Sequence, residues 1–480
     1  MQLNDAVLTR IAGLVTQTLS STDLPAARLS STFGEYSSVR RCVGLDTEGQ
    51  ARPFELGDDA EDDLDDLLDE LSDSVEEEAW ALELTVDREG GWSAVAAADV
   101  PERVRLRPVS FSHQPVELPA ITRDEEATLA ELWQAGAADF ETVPGAADDE
   151  LAGLAETIGQ PVPPQLAALL RLTNGAVLVD DADEDEEFDE EAGANSLLGG
   201  LHLMSTDEIA DEYRQWRQAA EEGHHMGVAY DLGETGLTQL RLAHPGWIPF
   251  AQDYAGNHLA IDTVPGPAGT PGQVIEFGSD SDDGPFVHAA SLIDYLAGRR
   301  RSWPEDLELD VMVSADESGP LEAEQVPPAI QSLRLFGHSR VEGRSVARAT
   351  NLKLLLIKDA HEVDLTGLTA LPLQEIRLLD LPEVDLTPLA GHPTLRLVTL
   401  ERIDRIRGGE TLASLPALEE LCLEGATPDE VLTAAGANQH LHVVELGRFG
   451  DLPLTEKVRL IDVLRGGEPT TIITASAEKE

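Results

Sequence analysis

The chain has 480 residues, of which 91 are Asp or Glu and 33 are Lys or Arg, which gives a formal net charge of −58. A charge of this sign repels nucleic acid and acidic membrane surfaces, and it favours a cationic protein as partner. Apolar runs fall short of the roughly 20 residues that span a bilayer, and Met1–Asp5 lacks the basic start of an export signal, so we expect a cytoplasmic protein.

The acidic composition has a second explanation, because acid-rich, lysine-poor chains also arise from salt adaptation or from GC-rich coding. The two cysteines, Cys42 and Cys422, show no metal or redox spacing, which predicts two free, packed thiols. A length of 480 residues is too great for one hydrophobic core and predicts three domains of ordinary size.

Residues 1–115 predict an N-terminal α+β domain. Apolar residues at helical spacing predict a helix from Asp5 to Leu19, and a second apolar helical face lies among the carboxylates between positions 58 and 78. Trp80–Val86, a Gly-Gly turn and the stretch from Trp92 predict an antiparallel hairpin. This order resembles the small YezG-like immunity domains, and a plain α+β packing domain is the alternative interpretation.

Residues 116–142 predict a connector helix that docks on a neighbouring domain. This helix spans Thr122–Ala135, and the spacing of Thr122 and Glu125 is typical of a capping box. A second capping box, from Ser205 to Glu208, predicts the start of an amphipathic helix further along the chain.

Residues 143–303 predict a central α+β domain built from four ordered blocks. An apolar helix opens at Pro163-Pro164 and ends at Asn174-Gly175. Trp247–Asp262 predicts a hairpin whose turn contains Gly256, with Trp247, Leu259 and Ile261 in the core and Asp262 capping the following turn. A strand from Gly272 and a helix over Ala290–Leu296 complete the set.

These four blocks, in this order, resemble the SUKH superfamily, the Smi/Knr-like group, over about residues 148–300. That superfamily contains many bacterial immunity proteins and a few eukaryotic regulatory proteins. Two departures are visible: an acidic insert, Asp180–Glu191, follows the Asn-Gly turn, and Ala255 precedes Gly256-Asn257 where the group usually has a small flexible residue. The resemblance implies an α+β fold that binds another protein.

Residues 304–328 predict a short strand, Leu307–Val313, followed by a linker, and residues 329–470 contain a repeat. The pattern apolar-x-x-apolar-x-apolar recurs six times at intervals of 21 to 23 residues, starting at Ile330, Leu352, Leu373, Leu395, Leu418 and Leu441. This pattern resembles leucine-rich repeats and predicts a C-terminal solenoid of stacked parallel strands. The usual Asn three places after the pattern is missing, so other groups must form the hydrogen bonds that this Asn makes to the backbone of the turns.

Sequence motifs for catalysis are absent: the chain has no phosphate-binding loop, no nucleophile elbow and no metal-ligand spacing. We therefore expect a protein that is not an enzyme and has neither a cofactor nor a metal. The alternative from the enzyme class is a hydrolase that uses the carboxylates of the acidic insert, although crowded carboxylates lack the fixed geometry of general acid–base catalysis.

The remaining candidates are three protein-binding surfaces. The central turn offers Asp253, Tyr254, Asn257 and His258; the acidic insert offers Asp180, Asp181, Asp183, Glu184 and Asp185; and the outer face of the repeat strands offers Arg334, Leu354, Leu356, Arg377 and Leu397. Each has a plainer alternative: structural turn chemistry for the first, a solvated loop for the second, and cover by another domain of the chain for the third.

The leading functional prediction is a bacterial immunity protein, without enzyme activity, that binds and neutralises a toxin of a polymorphic toxin system. The resemblance and the charge together point to a basic partner such as a nuclease. The alternative is a cytoplasmic scaffold or regulator that binds an endogenous protein client through its repeats and its SUKH-like domain.

Overall fold

Three large β-sheets organise the part of the chain that the structure describes. The structure is a computed structural model, and it describes residues 3–33, 38–47, 51–75, 80–98, 100, 103–109, 111, 115–178, 196–223, 227–280, 283–302, 309–315, 319–424, 429–446, 453–465 and 470–477. The helices are α1 (Asp5–Leu19), α2 (Asp58–Asp73), α3 (Arg123–Gly136), α4 (Asp148–Ile158), α5 (Pro164–Leu172), α6 (Thr206–Glu221), α7 (Leu292–Leu296), α8 (Gly343–Val346), α9 (Asp429–Ala437) and α10 (Leu454–Arg465).

The N-terminal sheet packs its apolar face against α1 and α2. Its strands are β1 (Ala26–Phe33), β2 (Ser38–Leu45), β3 (Ala51–Pro53), β4 (Trp80–Asp87), β5 (Trp92–Ala98) and, from the end of the chain, β25 (Ile472–Ala477), all antiparallel in the order β25-β5-β4-β1-β2-β3. Asn4 caps α1, because its Oδ1 accepts from the N–H groups of Ala6 and Val7. The predicted helix and hairpin of this segment are confirmed.

The central sheet contains seven antiparallel strands, and helices from the same segment cover it. These strands are β7 (Phe140–Thr142), β8 (Ala176–Leu178), β9 (His202–Leu203), β10 (Trp247–Gln252), β11 (Asn257–Asp262), β12 (Gln273–Gly278) and β13 (Phe286–Ala289), in sequential order. Both predicted capping boxes are present, at the starts of α3 and α6. Trp247, Leu259 and Ile261 are buried as predicted.

The third sheet carries the repeat pattern, one long strand per repeat. Its order is β14 (Asp310–Ser314), β15 (Ser332–Phe336), β17 (Leu354–Lys358), β19 (Glu375–Leu381), β21 (Leu397–Ile403), β23 (Glu420–Glu424), β24 (Val443–Leu446) and β6 (Arg103–Arg105). The strands β14 to β24 pair in parallel, so that Leu333, Leu355, Ile376, Val398, Leu421 and Val444 form one buried row. The short strands β16 (Arg340–Glu342), β18 (Glu362–Asp364), β20 (Val384–Asp385) and β22 (Ile406–Arg407) form two further parallel pairs.

Residues with positive φ replace the missing Asn at the turns of the repeats. Gly337, Asp359, Asp380 and Arg402 all lie seven places after a pattern start, and their φ angles are 70°, 55°, 54° and 48°. This left-handed turn lets the backbone bond across repeats: Gly337 N donates to Lys358 O (3.0 Å) and Asp359 N donates to Leu379 O (3.2 Å). These backbone bonds, together with the His338 side chain at Val313 O (3.3 Å), connect neighbouring repeats without the usual Asn.

Three strands lie on sheets that the predicted domain limits do not anticipate. The strand β14 overlaps the short strand predicted at Leu307–Val313, which was placed outside the repeat domain, and it is the first strand of the repeat sheet. The strand β6, from within residues 1–115, pairs antiparallel with β24 at the other edge of that sheet, and β25 joins β5 of the N-terminal sheet. Because β-pairing joins residues that are distant in sequence, local patterns do not reveal these partners.

Candidate functional site

The tip of the β10–β11 hairpin is held in one conformation by two polar side chains. Asp253 Oδ1 accepts from the N–H groups of Ala255 (2.8 Å) and Asn257 (3.0 Å). Asn257 Nδ2 donates to Asp253 Oδ2 and to Asp280 Oδ2, each at 2.7 Å, which ties the tip to the end of β12. Burial raises the pKa of Asp253, but the hydrogen bonds from Asn257 and Ala255 outweigh it and leave the pKa below its ordinary value.

Tyr254 stands at this tip and is presented to solvent. Its side chain is 62% exposed, and its φ of 59° is rare for a residue with a β-carbon. The ring lies against His202 of the neighbouring strand β9, with centroids 4.9 Å apart. The tip therefore holds an aromatic ring outward on a fixed backbone, a geometry that suits binding to another protein.

The prediction that His258 is exposed at this turn is wrong. Only 2% of His258 is exposed, and its Nε2 lies 3.1 Å from Glu212 Oε1 of α6. The ring also contacts Trp216 and Phe277. Strand alternation directs this side chain towards α6, opposite to the direction of Asn257, so His258 stabilises the hairpin from inside.

The acidic insert cannot be placed in this site. Asp180, Asp181, Asp183, Glu184 and Asp185 lie outside the described residues, so their role stays a prediction from sequence.

The repeat sheet is covered on its outer face by the central domain. Leu354 and Leu397, predicted to be exposed, are only 6% and 5% exposed, and with half-buried Leu356 they pack in one apolar cluster with Val228, Tyr230, Leu232 and Phe286. The prediction of free apolar surface is wrong, and cover by another domain of the chain is correct. The cause is the segment between α6 and β10, whose alternate apolar residues dock on the sheet.

A second set of buried repeat residues contacts the central domain through all but its last member, His442, which lies against Arg107 O instead; the sequence interpretation missed this set. Each repeat has a buried polar residue directly before its long strand; these six residues, here called the polar ladder, are Gln331, Lys353, Gln374, Arg396, Glu419 and His442. Their backbones are joined in series, since each N–H donates to the preceding member's carbonyl at 2.7 or 2.8 Å. A polar residue at the same place in all six repeats was a visible signal.

The first three residues of the polar ladder bind the backbone and one carboxylate of the central domain. Gln331 exchanges two hydrogen bonds of 2.9 Å with the main chain of Asp231. Lys353 Nζ lies 3.1 Å from Asp231 Oδ2, and Gln374 Nε2 donates to Ala229 O at 2.8 Å. Buried polar groups are costly unless they are paired, so these partners fix the relative position of the two domains.

Arg396 and Glu419 of the polar ladder form a buried charge network with Arg241 of the central domain. Arg396 Nε donates to Glu419 Oε2 (3.0 Å), and its Nη1 donates to Leu240 O (3.0 Å) in the central domain. Arg241 of the central domain also donates to Glu419. Burial raises the pKa of Glu419, but the guanidinium groups of Arg396 and Arg241 outweigh burial and leave that pKa below its ordinary value.

Beside this interface an open cavity of about 690 Å³, here called the interdomain cleft, separates the two domains. Its floor is the outer face of the repeat strands, including Arg334, Arg377 and Leu356, and its wall includes Val228 and Tyr230 of the central domain. Arg377 Nε donates to Glu375, and Arg334 Nε lies 3.5 Å from Asp310 Oδ1. The cleft thus brings the repeat arginines of the predicted surface together, away from the Tyr254 tip.

Asp262, the buried acid at the end of β11, has a structural role. Asp262 accepts hydrogen bonds from Val264 N (2.9 Å) and Gln273 Nε2 (2.9 Å), so the predicted cap is confirmed. Burial raises the pKa of Asp262 to about 7, while these hydrogen bonds lower it in part. Among the described residues, no group of three or more His, Cys, Asp or Glu side chains could hold a metal ion, and no helix there has the length and apolarity to span a membrane.

Comparison with known proteins identifies the central domain. Residues 145–298 match the model of the SMI1 / KNR4 family (SUKH-1). The chain is 40% identical over 111 residues to the cell wall biosynthesis/cell cycle regulator smi1 of Schizosaccharomyces pombe, which covers 21% of this chain and 22% of that protein.

Two further relatives are also fungal. The chain is 29% identical over 156 residues to the cell wall assembly regulator SMI1 of Saccharomyces cerevisiae, which covers 26% of this chain and 30% of that protein. It is 49% identical over 59 residues to a glucan synthesis regulatory protein of Neurospora crassa, which covers 12% and 11%. The chain thus spans less than a third of the length of each of these three relatives.

These relatives overturn the leading functional prediction. A bacterial immunity protein that neutralises a toxin was expected, but the relatives are fungal proteins named as regulators of the cell wall, the cell cycle or glucan synthesis. The resemblance to the Smi/Knr-like group was correct, and the choice among that group's functions was wrong. Residues 145–298, which carry the Tyr254 tip and the segment that docks on the repeat sheet, form a domain of the SMI1/KNR4 family.

Proposed function

We propose that this protein is a regulatory scaffold that catalyses no reaction and binds an endogenous protein client through its SMI1/KNR4 domain and its repeat sheet. The names of the fungal relatives support a regulatory role. Two polar pairs described above, Arg396–Glu419 and Asp253–Asn257, have structural roles, since they hold the domain interface and the hairpin tip.

The observation that carries this proposal is the Tyr254 tip. Its residues belong to the block that resembles the family, its backbone is fixed by Asp253 and Asn257, and its ring is the most exposed large apolar side chain of the central domain's described residues. Exposed aromatic residues on a rigid backbone lose little entropy on binding and dominate many interfaces. Tyr254 is therefore the anchor that we assign to the client.

The scaffold is proposed to act as one unit of two domains. The polar ladder and the apolar cluster around Tyr230 hold the SMI1/KNR4 domain on the repeat sheet, which we interpret as a leucine-rich-repeat-like array on its leucine pattern and parallel strands. The cytoplasm remains the predicted location. The likeness of the N-terminal segment to YezG-like domains remains a prediction from the order of its strands.

Affinity purification of the full chain from its native host, followed by binding of the purified client, tests the proposal. The wild type and the control variant Val116→Ala, which also truncates an exposed apolar side chain, are expected to recover the same client. Tyr254→Ala is expected to recover at least about tenfold less, as truncation of an interface anchor does. Failure to recover any client with the wild type would contradict the scaffold function. Equal recovery by Tyr254→Ala would show that the tip does not bind the client.

A further inference from the structure

The interdomain cleft has the size and lining of a binding site. Its volume of about 690 Å³ lies within the range of roughly 300–1,000 Å³ that is typical of ligand pockets. The floor spans strands β15 to β24 of the repeat sheet, and the wall comes from the SMI1/KNR4 domain. Neither domain alone forms the cleft, which depends on the polar ladder and the apolar cluster around Tyr230 to hold the two together.

The floor of the cleft is long enough for an extended chain. Adjacent strands in a sheet lie about 4.8 Å apart, so a ligand crossing the six strands of the floor spans about 24 Å. An extended peptide of about seven residues covers that length, at about 3.4 Å per residue. Along this path Leu356 and Tyr230 offer apolar contacts near one end, and Glu420 and Glu445 lie near the other.

The charge of the cleft selects a basic ligand. Among the described residues that line it, five are acidic, namely Asp283, Glu375, Glu401, Glu420 and Glu445. Three described arginines, Arg103, Arg334 and Arg377, also line it. Three of the lining acids are paired with arginine, because Arg377 donates to Glu375, Arg103 Nη2 donates to Glu420 Oε2 at 3.0 Å, and Glu401 pairs with Arg402 outside the lining. The lining therefore carries a net negative charge within a protein whose total charge is −58.

We infer that the interdomain cleft binds an extended, basic segment of the client protein, with apolar side chains against Leu356 and Tyr230 and basic side chains towards Asp283 and Glu445. This inference rests on the proposed scaffold function and gives that function a second, chemically distinct contact. The Tyr254 tip supplies an aromatic anchor, and the cleft supplies selectivity for positive charge.

Fluorescence anisotropy with the full chain tests the inference. The probe is a labelled heptapeptide of alternating arginine and leucine, and its counterpart carries glutamate in place of arginine. At about 0.15 M salt the Debye length is about 8 Å, so charges far from the cleft are screened. The arginine peptide is expected to bind the wild type, and the glutamate peptide is not.

Variants with matched charge changes locate the binding. Asp283→Asn with Glu445→Gln is expected to weaken binding at least about fivefold. The control, Glu126→Gln with Glu131→Gln, removes the same charge from exposed positions on α3 and is expected to leave binding within about twofold. Thr399→Trp, which places a large ring on the floor of the cleft, is expected to block binding while the thermal unfolding midpoint stays within a few degrees.

The outcomes separate the cleft from the scaffold function. Equal weakening by the cleft and control variants, or no binding of the arginine peptide, would overturn the cleft proposal even when the client is recovered through Tyr254. Binding that depends on Asp283, Glu445 and Thr399 supports the cleft, whether or not a native client is found.

Discussion

Lys353 and Asp231 form an ion pair, with Nζ 3.1 Å from Oδ2, between the repeat sheet and the SMI1/KNR4 domain, and both side chains are only 3% exposed. Lysine is scarce in this chain, which contains only Lys353, Lys358, Lys457 and Lys479. Lys353 neutralises the buried carboxylate of Asp231, which also accepts a hydrogen bond from Gly236 N at 2.8 Å. The pair links residues that are 122 positions apart and fixes the docking of the two domains.

Replacing Lys353 tests this docking. Lys353→Met leaves Asp231 buried without its counter-charge and is expected to lower the free energy of unfolding by about 3–5 kcal/mol. Lys358→Met is the control, because Lys358 forms a more exposed pair with Asp380 at 3.6 Å and such pairs contribute about 0–1 kcal/mol. Urea unfolding of both variants measures the difference, and equal losses would contradict the assigned role. Adding Asp231→Leu to Lys353→Met is expected to recover much of the loss, since it removes the uncompensated charge.

Leu397 tests the apolar part of the same interface. Leu397→Ala opens a cavity against Val228 and Tyr230 and is expected to cost about 2–5 kcal/mol. Hydrogen exchange of the backbone around residues 228–232 is expected to accelerate, because this segment is held by the cluster. Met312→Ala is the control: Met312 is largely exposed on β14, and a change there is expected to stay within about 0.5 kcal/mol. No acceleration in Leu397→Ala would show that the cluster does not hold the segment.

The raised pKa of Asp262 predicts how the stability of the protein depends on pH. Its pKa rises from an ordinary value of 3.8 to about 7 on folding, so between these values the folded protein keeps a proton that the unfolded chain releases. The contribution of Asp262 to stability therefore falls as pH rises through this interval, by about 1.4 kcal/mol for each pH unit. Asp262→Asn removes this dependence. Its unfolding free energy relative to the wild type, measured at several pH values from 4 to 8, is expected to rise with pH. A constant difference would show that Asp262 ionises normally.

Two glycine substitutions are expected to have opposite signs. Gly256 has a φ of 99°, and a β-carbon there would lie 2.4 Å from Ser279 Oγ. Gly256→Ala is therefore expected to destabilise the protein by about 1–3 kcal/mol. Gly13 lies on the exposed side of α1 with open space around it, and Gly13→Ala is expected to stabilise by about 0.5–1 kcal/mol. Thermal or urea unfolding of the two variants measures both effects, and a neutral Gly256→Ala would mean that the hairpin tip is not held in this conformation.

The candidate site was predictable where it depended on local chemistry. The Asp-x-x-Gly-Asn order around Gly256 predicts a turn that exposes Tyr254, and the structure has that turn. His258 could not be placed, because its burial depends on where α6 lies, and α6 begins about fifty residues earlier in the chain. The function was chosen from two that the resemblance allowed, and the residues themselves do not distinguish a regulator from an immunity protein.

By itself the sequence determined the periodic features. Leucines at intervals of 21 to 23 residues set which side of each repeat strand is buried, and capping residues such as Ser205 and Thr122 set where helices begin, since both depend on neighbours within a few positions. Tertiary structure alone decided the cover over Leu354 and Leu397, the partners of the polar ladder and the exchange of edge strands between the N-terminal and repeat sheets. These contacts join residues that are far apart in sequence, such as Gln374 and Ala229, which lie 145 positions apart. The sequence around each partner does not specify whether another protein or another part of the same chain covers its apolar side chains and pairs its polar groups.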